Sequence, residues 1–156
     1  MIKTFSGGVH PDTSKEPTVD KRISSAPLPK RVSIPLLQNT GNPAKARVKV
    51  GDTLLKGQLI GDTESFISSR VHASISGKVI AIEEYINPIY GKTECVFIES
   101  DGKDTPYPYT AGSKPIKDLS RKNIIDIIKD AGIVGLGGAA FPTHVKLIEA
   151  KTSEKY

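Results

Sequence analysis

Between residues 31 and 100, short apolar runs alternate with polar turns that contain glycine. The runs are RVSIPLL, ARVKV, GDTLLKGQLIG, SRVHASISGKVIAIEE and CVFIES. Short runs rich in Val and Ile, separated by glycine turns, are typical of strands in a small sandwich or barrel. We therefore predict an all-β unit over residues 31–100.

The hydrophobic period changes near residue 119. In SRKNIIDIIKDA, residues 120–131, apolar side chains recur at the helical spacings of three and four: Ile124, Ile127, Ile128 and Ala131. Ser120 suits the N-cap of this helix and Gly132 its C-terminal cap. Pro142 suits the first turn of a second helix, PTHVKLIEAK. The predicted fold class is therefore α+β.

Proline, glycine and polar residues mark the remaining segments. Residues 1–30 carry enough prolines to exclude a long helix, which predicts an extended N-terminal arm. Residues 101–118, rich in Pro, Gly, Asp and Thr, predict a linker or surface loop. Residues 119–156 hold the two helices, and we expect them to pack loosely because little of the chain is left to cover their apolar faces.

The composition excludes several classes of protein. The basic residues behind the net charge of +5 are scattered along the chain without interleaved aromatic side chains, so nucleic acid is not an expected partner. No apolar run of membrane-spanning length is present, and the first residues lack the apolar core of a secretory signal. We therefore expect a protein with no transmembrane segment of its own, located in the cytoplasm.

Metal-ligating side chains are few and isolated. Cys95 is the single cysteine in the sequence, so clusters held by several thiolates are excluded, and we expect it to be a buried apolar residue. His10, His72 and His144 have no partners at ligand spacing, and we interpret them as structural. No metal site and no catalytic residue are predicted.

The segment from Val48 to Ile82 resembles a biotinyl/lipoyl-type domain. It shares with that family a Gly-Asp turn, a Lys-Gly-Gln turn and a Ser-Gly turn: Gly51-Asp52, Lys56-Gly57-Gln58 and Ser76-Gly77. The resemblance places the carrier lysine near Phe66, yet no lysine occurs between Lys56 and Lys78. We therefore expect neither biotin nor lipoate, and a scaffold or docking role for this fold.

The stretch GLGGAAFPTHVKL is the strongest candidate binding site. Three glycines, Gly135, Gly137 and Gly138, permit close backbone approach, and a loop that leads into a helix presents N–H groups to an anion. Lys146 would add a charged contact to a phosphate. The spacing fits neither a P-loop nor the dinucleotide fingerprint. In the alternative interpretation, the glycines only permit tight helix packing.

The same stretch resembles the flavin-binding loop shared by the NADH-oxidising subunit of respiratory complex I and by the RnfC protein of the Rnf electron transport complex. The resemblance implies a cofactor-binding set of Gly135, Gly137, Gly138, Ala139, Phe141, Thr143 and Lys146. Ala140 stands where the family usually has glycine. Leu136 replaces the arginine of the complex I branch and is similar to the Rnf branch.

The N-terminal half is similar to the start of RnfC proteins, through FSGGVHPDTSK, PLPKRVSIPLLQNTGNPAKARVKVGDTLLKGQLIG and VHASISGKV. Asn39, where histidine is common, departs from that pattern. The resemblance implies a peripheral subunit on the cytoplasmic face of a bacterial or archaeal membrane. It further implies FMN, NAD(H) and two 4Fe-4S clusters in the parent protein, with membrane-bound subunits and ferredoxin as partners.

Two hypotheses follow. In the first, the chain is the N-terminal part of such a subunit, in which the β unit precedes the start of an α/β FMN/NADH-binding domain. The cluster ligands and the rest of the nucleotide fold are absent from this sequence, so we expect the chain alone to be inactive. In the second, it is a non-catalytic docking or adaptor module for a membrane redox complex.

Overall fold

A computed structural model describes residues 12–108 and 115–149 of the chain, apart from the side chains of Ile116 and Glu149. Its strands are β1 (Arg31–Pro35), β2 (Lys45–Ala46), β3 (Thr53–Leu54), β4 (Leu59–Asp62), β5 (Val71–His72), β6 (Gly77–Asn87) and β7 (Gly91–Ser100). The helices are α1 (Arg121–Asp130) and α2 (Thr143–Glu149), preceded by a 3₁₀ turn at Ile116–Asp118. The strands therefore lie in the predicted β unit, residues 31–100, and both helices follow it.

The strands form two antiparallel sheets, one in the order β1-β7-β6-β3 and the other in the order β2-β4-β5. Residues from both sheets meet in one core: Ile34, Leu36, Ala44, Leu54, Ile60, Val71, Ala73, Ile75, Val79, Val96 and Ile98. Cys95, next to this cluster in β7, is fully buried, as predicted. The alternating apolar residues of the sequence thus lie on the buried faces of a two-sheet sandwich.

The strand in the region of the run ARVKV is shorter than predicted. β2 ends at Ala46, and the chain then bends towards Gly51. Lys49 and Asp52 close a turn, in which the Lys49 N–H donates to the Asp52 carboxylate at 2.9 Å. This local bond competes with strand pairing, since aspartate side chains readily satisfy nearby backbone donors. The prediction of a strand through Val50 was therefore wrong.

Gly77 is required by a close backbone approach. A Cβ atom at this position would lie 1.9 Å from the carbonyl oxygen of Glu99, on the neighbouring strand β7. No side chain fits within that distance, so the Ser-Gly turn is fixed by strand packing as well as by the turn itself. Gly57, in contrast, adopts φ +88°, which glycine tolerates in a tight turn.

The N-terminal arm and the predicted linker differ in how they are held. Residues 12–30 contain no strand or regular helix, and all of them are exposed. Residues 101–108 are bound to the β unit: the Ser76 hydroxyl donates to the Asp101 carboxylate at 2.7 Å, and the Lys56 N–H donates to the Thr105 carbonyl at 2.9 Å. The first part of the predicted linker is thus attached to the sandwich.

Helix α1 begins and ends as predicted. The Ser120 hydroxyl accepts from the Asn123 N–H, and the Asn123 side chain bonds back to the Ser120 backbone, which completes a capping box. Gly132 follows the last turn with φ +66°. No residue of α1 is buried, and the Arg121 guanidinium donates to the Leu147 carbonyl of α2 at 2.7 Å.

Candidate functional site

The glycine loop, residues 135–141, is a closed turn between α1 and α2. Its two ends are joined by the Gly135 N–H, which donates to the Phe141 carbonyl at 2.9 Å. Directly outside this bond, Val134 and Pro142 form an antiparallel bridge. Pro142 is buried and precedes α2, which begins one residue later than the sequence predicts. The predicted site residues therefore lie on this loop and on the first turn of α2.

The tip of the glycine loop is open. Within residues 12–108 and 115–149, a Cβ atom on Gly137 or Gly138 would have no neighbour within 4 Å, and Leu136 is fully exposed. Among the residues that the structure describes, no acceptor receives the N–H groups of residues 136–139. These two glycines are not needed for helix packing, which removes that alternative for them. The loop instead offers a run of unpaired donors to solvent.

Lys146 lies beside the loop. Its ammonium nitrogen is 5.7 Å from the centre of the Phe141 ring, a cation–π distance, and its side chain is exposed. Thr143 opens α2 directly after the loop. A positive charge next to several unpaired N–H groups favours an anionic ligand such as a phosphate.

Ala140 has a strained backbone. Its φ is +43°, in the left-handed region that glycine tolerates and residues with a Cβ seldom adopt. Ala140 is the position where the resembling flavin loops usually carry glycine, and the structure gives that preference a conformational reason. The preceding carbonyl, of Ala139, accepts a hydrogen bond from the Thr40 hydroxyl of the β unit.

The residues on either side of the glycine loop, from the end of α1 and the start of α2, form its stem. This stem packs against the hairpin-tip loop, residues 63–70, which joins β4 to β5. The Ser69 hydroxyl donates to the Gly132 carbonyl at 3.1 Å. A Cβ atom on Gly132 would lie 2.4 Å from the Arg70 carbonyl oxygen, so the two backbones touch. This tip loop is the part of the fold in which a carrier domain would display its lysine.

Arg70 joins the same two parts of the chain electrostatically. Its guanidinium forms ion pairs with Asp62 of β4, at 3.3 Å, and with Asp130 of α1. The Arg70 side chain is 27 % exposed and that of Asp62 is 16 % exposed. The pair with Asp62 is therefore shielded from water and stronger than a fully exposed pair, whereas the Asp130 side chain is 49 % exposed.

Two histidines lie where the hairpin-tip loop contacts the stem, a region that we call the junction. Burial, followed by the charge of Arg70, lowers the pKa of His72 below its ordinary value. Burial, followed by the charge of Lys129, lowers the pKa of His144 in the same way, against a hydrogen bond to the backbone of Phe66. His72 ends strand β5 and His144 is buried in α2, and the structural interpretation of both stays a prediction. His10 lies outside the described residues.

Thr40, Ser69 and Arg70 belong to this site, and sequence reasoning missed them. Thr40 is separated from Ala139 by 99 residues and Ser69 from Gly132 by 63, so no local pattern connects them. The only available signal was the polar turn QNTGN, which interrupts the apolar runs.

Residues 12–108 and 115–149 hold no group of three or more side chains that could bind a metal ion. In the same part of the chain, no helix has the length and apolar character required to cross a bilayer.

The two-sheet sandwich, with its glycine turns and lysine-free hairpin tip, defines a barrel-sandwich domain that is joined to a glycine-loop segment. A family model described as the RnfC barrel sandwich hybrid domain matches residues 3–103, and the chain belongs to this family. The resemblance inferred from the motifs is thereby confirmed.

Curated relatives extend the match across the glycine loop. The chain is 48 % identical over 147 residues to the C subunit of a proton-translocating ferredoxin:NAD(+) oxidoreductase complex from Clostridium ljungdahlii, which covers 94 % of this chain and 32 % of that protein. It is 44 % identical over 144 residues to the C subunit of the Na(+)-translocating complex from Acetobacterium woodii, with 92 % and 32 % covered. The C subunit of an ion-translocating oxidoreductase complex from Rhodobacter capsulatus is 37 % identical over 150 residues, with 94 % and 29 % covered. The chain thus spans about a third of the length of these relatives.

Proposed function

We propose that this chain supplies the barrel-sandwich domain and the FMN-phosphate loop of the C subunit in an ion-translocating ferredoxin:NAD oxidoreductase. One observation carries the proposal: the glycine-rich sequence folds into an open loop with unpaired N–H groups and an adjacent lysine. The similarity to the C subunits of such complexes supports it, since the aligned region extends through the loop.

The residues of the loop fit a flavin phosphate. Gly137 and Gly138 leave room above the backbone, and the N–H groups of residues 136–139 have no described protein acceptor that a ligand would need to displace. Lys146 supplies a positive charge from the first turns of α2. Gly135, Ala139, Phe141 and Thr143 complete the proposed set by shaping the loop. FMN bound here would provide the two-electron to one-electron conversion between NAD(H) and iron–sulfur centres.

The wider role belongs to the whole subunit. The names of the relatives support NAD(H) and ferredoxin as its substrates and other subunits of a complex as its partners. We further propose that these partners are membrane-bound and that the subunit lies at the cytoplasmic face. The two 4Fe-4S clusters of our proposal need cysteine ligands beyond those here, because the sequence contains one cysteine. We expect the loop segment to be the first part of an FMN/NADH-binding domain that follows residue 118.

Comparing FMN with riboflavin tests the phosphate site directly. We expect millimolar FMN to shift the backbone amide NMR signals of residues 136–139, and riboflavin, which lacks the phosphate, to leave them in place. Lys146→Gln should weaken the FMN shifts. Equal shifts with both flavins, or FMN shifts located away from the loop, would contradict the proposal.

A docking role is the second candidate, and the exposed arm favours it. Residues 12–30 carry Lys15, Lys21, Arg22 and Lys30, with every residue exposed, which suits an interaction with a partner surface. If the chain is an adaptor, it should co-purify with the membrane subunits of the complex in the absence of FMN. Failure to co-purify, under conditions in which the whole protein does, would rule this role out.

A further inference from the structure

The turn that carries Thr40 is rigidly held in the β unit. Asn39 is fully buried, and its side-chain amide donates to the Thr40 carbonyl at 2.9 Å. The Asn42 N–H donates to the Ile67 carbonyl at 2.9 Å, and a Cβ atom on Gly41 would lie 2.2 Å from that same oxygen. Thr40 is therefore presented from a fixed backbone, although its hydroxyl is near the surface.

The hydroxyl of Thr40 contacts the strained peptide of the glycine loop, whose other described hydrogen bond runs within the loop, from the Ala140 N–H to the Gly137 carbonyl at 3.0 Å. It donates to the carbonyl of Ala139, the residue directly before the strained Ala140. An alanine at φ +43° is strained towards negative φ, and that change would rotate the adjoining peptide against its single hydrogen bond within the loop. The hydrogen bond from Thr40 also opposes this rotation.

The other contacts between the β unit and the helical segment involve the stem and not the glycine loop itself. Ser69 and Arg70 touch Gly132 and Asp130, and Phe66 contacts His144. The loop ends are closed by its own bond between Gly135 and Phe141. Among the described residues, Thr40 is the side chain outside the loop that hydrogen-bonds to its tip.

We propose that Thr40 is a positioning residue for the FMN-phosphate loop: its hydroxyl holds the Ala139–Ala140 peptide, and so fixes the direction in which the neighbouring N–H groups face. The β unit thereby determines the geometry of a cofactor loop to which it contributes no ligand. This inference rests on the proposed function for its ligand, but its conformational part can be tested without any ligand.

The test compares Thr40→Val, which keeps the shape and removes the hydroxyl, with Thr40→Ser, which keeps the hydroxyl. We expect Thr40→Val to shift the amide NMR signals of residues 136–140 in the ligand-free chain and to raise the dissociation constant for FMN about fivefold, as expected for one lost hydrogen bond. Thr40→Ser should resemble the wild type. Adding Ala140→Gly to Thr40→Val should restore most of the affinity, because glycine adopts the loop conformation without strain.

The outcomes separate the two claims. If the ligand-free loop signals of Thr40→Val match those of the wild type, the positioning role is wrong, whether or not FMN binds. If wild-type loop signals do not respond to FMN, the proposed function is wrong, and with it the ligand that Thr40 serves. An equal loss of affinity in Thr40→Val and Thr40→Ser would also overturn the inference, since the serine hydroxyl should suffice.

Discussion

His144 of α2 is buried against the backbone of Phe66, at the hairpin tip where a carrier domain would display its modified lysine. The tip loop therefore holds a helix of its own chain. His72, at the other side of the junction, has a similarly lowered pKa. Both side chains are kept neutral mainly by burial, and this links the stability of the junction to pH.

We expect the free energy of unfolding to fall as the pH drops below 6.5, the ordinary pKa of histidine. The folded chain holds both pKa values below 6.5, so the unfolded chain binds more protons at acidic pH and is favoured there. Above this pH both states hold neutral histidines, and the effect disappears. Urea unfolding between pH 8 and pH 5 measures it.

The matched control for this effect is the double variant His72→Gln/His144→Gln. The double variant should be less stable than the wild type at neutral pH, because burial of a polar amide costs more free energy than burial of a neutral imidazole. It should, however, lose less stability on acidification. An unchanged pH dependence in the double variant would mean that other groups cause the acid sensitivity.

Removing Arg70 should weaken the junction more than removing an exposed arginine weakens the β unit. We expect Arg70→Met to cost about 1.5–2 kcal/mol, because it leaves the half-buried Asp62 with only the more distant Arg47, at 3.9 Å, as a charged partner. Arg31→Met is the control, since its pair with Glu99 has side chains that are 70 % and 49 % exposed. Such exposed pairs contribute at most about 1 kcal/mol. Equal losses in urea unfolding would refute the assigned role of Arg70.

Ala140→Gly should stabilise the chain. Glycine removes the strain of the left-handed backbone, about 1–2 kcal/mol, and part of this gain is offset by the greater freedom of glycine in the unfolded chain. We expect a net gain of about 0.5–1 kcal/mol. Ala139→Gly, next to it but without positive φ, should instead destabilise by a similar amount. The same sign for both variants in thermal unfolding would show that Ala140 is not strained.

Gly77→Ala should disrupt the β unit, because the added Cβ would overlap the Glu99 carbonyl oxygen at 1.9 Å. Strands β6 and β7 would have to separate locally, and we expect a loss above about 3 kcal/mol. Gly91→Ala, with φ +73° and no neighbour within 4 Å, tests backbone strain alone and should cost only about 1 kcal/mol. Circular dichroism with urea titration compares the two, and a smaller loss for Gly77→Ala would contradict this packing argument.

The β unit was largely predictable because its signals are local. Alternating apolar residues locate the strands, and the capping residues Ser120 and Gly132 mark the ends of α1. The prediction failed where a local side-chain hydrogen bond outweighs strand propensity. The bond from the Lys49 N–H to the Asp52 carboxylate closes a turn, and the strand ends at Ala46. The sequence indicated an uncovered apolar face on α1, in which no residue is buried, but it did not indicate that Val145 of α2 is fully buried. Loose packing of the helices stays a prediction.

The candidate site was predictable only as a stretch of sequence. The residues from Gly135 to Lys146 are neighbours in the chain, so their motif could be recognised directly. Their supports, Thr40 and Ser69, come from turns that carry no helical or strand period, and they reach the loop only through the tertiary fold. The backbone strain at Ala140 could not be predicted either, because an alanine in the sequence does not indicate a positive φ.

The contact between Thr40 and Ala139 also has a consequence for the order of folding. Contacts that join residues about a hundred positions apart form late, because the intervening chain must first be ordered. During synthesis the sandwich leaves the ribosome before the glycine loop does, and N-terminal units generally fold first. The glycine loop is therefore synthesised after the sandwich has folded, and an error in the sandwich would change the conformation of the glycine loop.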